Sequence, residues 1–86
     1  MKAILKENGN EKVLKDGDLE EVKKYLINNL GGLLDWLDET ENNWDNFAEM
    51  KNEIKENIEN AENIENLETA FDRINSEMSW WGVYFE

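Results

Sequence analysis

The first fifteen positions hold two apolar clusters, Ala3-Ile4-Leu5 and Val13-Leu14, on either side of a polar stretch. Met1 to Lys6 and Glu11 to Lys15 predict two short strands, and Asn8-Gly9 between them is the pair favoured in a two-residue type I′ hairpin turn. A two-residue turn sets the expected register: Ile4 opposite Val13, Ala3 opposite Leu14, and Lys6 opposite Glu11 in a favourable cross-strand pair. Lys2 then falls opposite Lys15, a mild conflict at the end of the ladder.

The period changes after Asp16-Gly17-Asp18. Asp18 is a good N-cap, and Glu21 completes a capping box. Apolar residues follow at Leu19, Val22, Leu26, Leu30, Leu33 and Leu37, at helical steps of three and four. Gly31-Gly32 interrupts this run at a cost of about 1 kcal/mol per glycine relative to Ala. A kink or a break into two helices is expected there. Thr40 to Asn43 reads as a loop, with Asn43 as the next cap.

A second helical pattern joins Phe47, Met50, Ile54, Ile58, Ala61, Ile64, Leu67, Phe71 and Ile74. From Ile58 to Leu67 the step is three residues, three times running. Each such step falls about 60° short of a full turn, so the stripe drifts by roughly half a turn. One straight helix cannot keep both ends on one core. The pattern predicts a break near Asn60 to Asn63, with helices at about 44–60 and 64–77.

Ser79-Trp80-Trp81-Gly82-Val83-Tyr84-Phe85 has strong β preference and is apolar or aromatic on both faces, as in a strand buried on two sides. Paired with the hairpin, it completes a three-stranded sheet. The expected fold is α+β, ββααβ-like: an N-terminal hairpin, two to three helices (four if both interruptions split a helix) and a C-terminal strand, all in one domain over 1–86.

Composition narrows the chemistry. The 86 residues contain no Cys, His or Pro, which excludes disulfides, thiolate and imidazole metal sites, and His-based triads. No apolar run reaches membrane-span length, and nothing resembles a signal peptide, so a cytoplasmic protein is expected. Abundant Asn, Lys, Glu and Ile with a single Arg suggests an AT-rich genome, such as that of a low-GC bacterium or its phage. There is no phosphate loop and no base for a nucleophile, and a chain this short has little room for a pocket that raises a carboxyl pKa. No enzymatic activity and no cofactor are expected. Asp16, Asp18 and Glu20 resemble the start of a calcium loop, but Glu21 occupies the glycine position and Ile27 the bidentate one, so a helix cap explains them better.

The formal net charge is −12, and its distribution carries more information than its size. Residues 1–24 hold six Lys and six acids and are neutral; residues 35–68 hold twelve acids and two Lys. Within the latter, a Glu-Asn-apolar triplet runs from Glu56 to Leu67. Codon duplication along an amphipathic helix accounts for the triplet itself. General acidity would be spread evenly, whereas a cluster costs self-repulsion and fits a surface made to meet a basic partner. Glutamates three apart project about one carboxylate per 4.5 Å of helix axis, comparable with one phosphate per roughly 3.4 Å along a DNA strand. The candidate contact residues are Asp35, Asp38, Glu39, Glu41, Asp45, Glu49, Glu53, Glu56, Glu59, Glu62 and Glu65. Direct contact with nucleic acid or anionic membranes is disfavoured by charge.

In size, acidity, Trp- and Asn-rich composition and α+β pattern, the chain resembles the phage anti-CRISPR and antirestriction proteins that mimic DNA. That resemblance rests on overall character, with no diagnostic motif and no residues carried over. It implies a stoichiometric inhibitor occupying the nucleic-acid site of a basic protein such as a CRISPR effector or restriction enzyme. In size and acidity the chain is also similar to immunity proteins that neutralise a nuclease toxin, although it lacks the strand of the barstar type between its middle helices. A third reading, from another class, is an oligomeric adaptor with the Trp80-Trp81 strand as its seam. A monomer or weak homodimer is expected.

Overall fold

The computed structural model describes residues 1–35 and 47–86. The chain runs β1 (Lys2–Glu7), β2 (Asn10–Asp16), α1 (Leu19–Leu33), α2 (Phe47–Glu59), α3 (Ile64–Glu77) and β3 (Trp81–Phe85). The three strands form one antiparallel sheet in the order β2-β1-β3, with helices packed on one face. The fold is α+β, with the hairpin first and the C-terminal strand completing the sheet. Leu37, the loop expected at Thr40 to Asn43 and the Asn43 cap lie outside the described residues.

The hairpin turn has φ +52° at Asn8 and +84° at Gly9, the two left-handed residues that a type I′ turn requires. Ile4 pairs with Val13 as expected, and Lys6 pairs with Glu11, their charged ends 3.4 Å apart. Beyond Ile4 the register departs from expectation. A bulge makes Leu14 the extra residue, so Ala3 faces Lys15 rather than Leu14, and Lys2 faces Asp16 rather than Lys15. The expected Lys–Lys conflict is thereby replaced by opposite charges. Leu14 packs on the core.

Asp18 caps α1, its carboxylate accepting from the Glu21 N–H at 2.9 Å. At Gly31-Gly32, where a kink or break is expected, α1 runs through both glycines and stops at Leu33, one residue past the pair. A glycine pair in the last helical turn has few intrahelical bonds left to disturb. The buried stripe on α1 is Val22, Leu26, Leu30 and Leu34.

The second pattern divides where the drift of its apolar stripe requires. α2 ends at Glu59, and α3 starts after Asn63. Two asparagines of the triplet close the break. The Asn63 side chain accepts from the Asn66 N–H, and the Asn66 side chain accepts from the Glu62 N–H. With the break in place, Met50, Ile54, Ile58, Ala61, Leu67, Phe71 and Ile74 all reach one core.

β3 is an edge strand, and its outer edge is closed by a side chain. Asn75 of α3 donates to the Val83 carbonyl and accepts from the Val83 N–H, both at 2.9 Å, as a neighbouring strand would. The strand is not buried on both faces. Trp81, Val83 and Phe85 face the helices, with Phe85 against Phe71, whereas Tyr84 on the other face is exposed. Among the described residues the helices lie on one face of the sheet, and Val13 and Tyr84 on the other face meet solvent. Ile4 lies in that outer face between Val13 and Tyr84, its cross-strand neighbours.

Candidate partner-binding surface

The helical layer determines where each carboxylate points. α2 packs between α1 and α3, while α1 lies against β2 and α3 against β3. Around α2, with about 100° per residue, Met50, Ile54 and Ile58 define the buried side. Glu49 and Glu56 then stand on the solvent crest. Glu53 lies on the α3 flank, where it lines a crevice with Asn57 and Arg73. Glu59 lies on the opposite flank, beside Glu20, Lys24 and Ile27 of α1. The α2 acids therefore wrap around the helix rather than forming one flat face, and Lys51 and Lys55 stand among them.

The cleaner acidic surface is at the break and along α3. Glu62 is exposed in the connection, and Glu65 is exposed in the first turn of α3. Glu68 and Asp72 follow at i+3 and i+7 from Glu65, on the face of α3 away from Leu67, Ala70, Phe71 and Ile74. Both are exposed. From Glu56 to Asp72 the chain presents six carboxylates with no Lys or Arg between them. Ion pairs seen among the described residues are Lys6–Glu11, Lys23–Glu20 and Arg73–Glu77, and none engages any of these six.

The candidate contact residues stop at Glu65, although the acidic segment 35–68 already includes Glu68. Glu68 and Asp72 were legible from the same i, i+3, i+7 spacing once the break was placed. The remaining candidates separate from it. Asp35 is exposed just beyond α1, whereas Lys23 near the start of α1 touches the end of α2. The two helices thus run antiparallel, with Asp35 roughly 18 Å of helix rise from the break. Asp38, Glu39, Glu41 and Asp45 lie outside the described residues.

The turn itself is held from α1. The Lys23 ammonium donates to the carbonyls of Glu59 at 3.0 Å and Ala61 at 2.8 Å. α2 has no basic residue in its last turn, so Lys23 supplies from another element the cation that a helix C-terminus favours. No local sequence pattern shows this contact, because its partners are nearly forty positions apart.

The acids are spread rather than convergent. Among the described residues, no three carboxylates are placed to hold a metal ion. Trp81 is in the core and Trp80 is half-buried against it, so neither forms an exposed seam; Trp36 and Trp44 lie outside the described residues. No helix among the described residues is long and apolar enough to cross a membrane. The chain matches no protein-family model, no curated protein and no solved structure.

Proposed function

We propose that this protein is a non-enzymatic, stoichiometric inhibitor of the anti-CRISPR or antirestriction type, working in the bacterial cytoplasm. Its acidic surface occupies the nucleic-acid site of a basic protein. The observation that carries the reading is the exposed run from Glu56 to Asp72: six carboxylates with no Lys or Arg between them in the sequence, laid along one helix end, a capped turn and the next helix.

Three physical points support it. Clustered like charge raises the energy of the free fold and is relieved when a cationic surface covers it. A concentrated negative field accelerates encounter with a basic groove, and carboxylate–Arg or carboxylate–Lys pairs then hold the complex as they are desolvated. The carboxylates are also mounted on rigid, capped elements, so little ordering cost remains at binding.

The test is affinity capture from a bacterial lysate on the wild-type chain, beside a variant with Glu62→Lys, Glu65→Lys and Glu68→Lys. The expected prey are basic nucleic-acid-binding proteins that the variant loses while keeping its helical circular dichroism. Prey of another kind, or prey retained by the variant, would overturn the proposal.

A further inference from the structure

We infer that the groove between α1 and the C-terminal end of α2 receives an arginine side chain of the basic partner. The inference rests on the reading above and adds where that partner is anchored. The groove has a volume of about 510 Å3. Its floor is Ile27, half-buried and packed on the core. Glu20 and Glu21 stand on the α1 wall and Glu59 on the α2 wall. An extended side chain lying on Ile27 would therefore meet carboxylates from both sides.

The groove also opens onto the negative end of the α2 dipole. One cation already docks at that end. Lys23 lays its stem between the helices, retains 13% side-chain exposure, and gives its ammonium to the Glu59 and Ala61 carbonyls. Its charge is thereby divided between the helix end and the Glu20 carboxylate 3.9 Å away. Lys24 is the other ammonium on the wall, so the groove carries three carboxylates against two ammoniums. A guanidinium suits such a place better than an ammonium. It is planar and weakly hydrated, so it can lie on an apolar floor while its edge N–H groups reach the carboxylates. A second copy of this chain is a poor donor, because its single arginine, Arg73, is engaged by Glu77 and two copies repel at −12 each.

The test is an amide-resolved NMR titration of the full chain with hexa-arginine and hexa-lysine peptides at physiological salt. Shifts are expected at residues 20–28 and 59–61, at several-fold lower concentration for hexa-arginine. Glu59→Gln should weaken that response about fivefold, the upper range for an exposed ion pair. Ile27→Ser should remove the preference for arginine, and Glu7→Gln, exposed on β1 and outside both the groove and the acidic run, should leave it. If Ile27→Ser fails to fold, Glu59→Gln still decides. Shifts confined to residues 62–72 would overturn the anchor and leave the acidic-surface reading standing. Equal response to both peptides, no groove response, or groove shifts on concentrating the protein alone would each overturn it as well.

Discussion

Replacing Lys23 by Met keeps the apolar stem and removes the ammonium that closes α2. Two hydrogen bonds disappear, at 3.0 and 2.8 Å, to the carbonyls of Glu59 and Ala61. A hydrogen bond from a charged donor contributes about 1.5–3 kcal/mol, and the two share one charge, so they do not simply add. The Glu59 carbonyl can turn to water, but Ala61 is only 2% exposed and its carbonyl loses a partner that water replaces poorly. The helix end also loses the cation docked on its carbonyls, an effect of up to about 2 kcal/mol when partly buried. Together these predict a loss of about 2–3 kcal/mol. For a domain of this size that lowers the melting temperature by roughly 10–20 °C. Urea unfolding followed by tryptophan fluorescence and far-UV circular dichroism should show a lower midpoint with an unchanged slope. Lys24→Met, at the neighbouring exposed position, should stay within about 0.5 kcal/mol of wild type. If both variants unfold together with wild type, the clamp contributes nothing and the reasoning about the turn is refuted.

Three further outcomes follow from the packing. A Cβ at Gly82 would lie 2.8 Å from the Tyr84 ring and 2.9 Å from the Asn75 amide oxygen, so Gly82→Ala should cost about 1–3 kcal/mol in chemical denaturation, with partial recovery on adding Tyr84→Ala. Asn75→Ala leaves the Val83 N–H and C=O without their partner, and should cost about 1–3 kcal/mol and speed hydrogen exchange at the Val83 amide; unchanged protection there would contradict the edge closure. Gly31→Ala and Gly32→Ala place a methyl where nothing lies within 4 Å, in helical backbone, and should each stabilise by about 0.5–1 kcal/mol; a lower melting temperature in either would show that the glycines are needed for packing.

Much of the fold is local and therefore legible. The Asn8-Gly9 turn, the Asp18 cap and the break between α2 and α3 each follow from a few neighbouring residues. The break was readable because three apolar steps of three cannot stay on one core. The Leu14 bulge was not, since the simple register also paired Ile4 with Val13, and only the ends of the strands distinguish the two. The Gly31-Gly32 pair marks the end of α1 to within a residue, since the helix stops at Leu33. For the candidate surface, the charge density was plain in the chain but its orientation was not. Glu53 and Glu59 are six residues apart and lie on opposite flanks of α2, a separation set by the neighbours α1 and α3. Lys23, which holds the turn that carries the acidic run, acts across the fold and leaves no sequence signature.

The central claim is that the surface from Glu56 to Asp72 takes the place of nucleic acid on a basic protein. It is tested most directly by competition. A captured partner, loaded with fluorescently labelled nucleic acid, is titrated with this protein while anisotropy is followed. Displacement complete at one equivalent, weakened by added salt and abolished by Glu62→Lys, Glu65→Lys and Glu68→Lys, is the predicted result. A ternary complex in which the partner holds both the nucleic acid and this protein would contradict it.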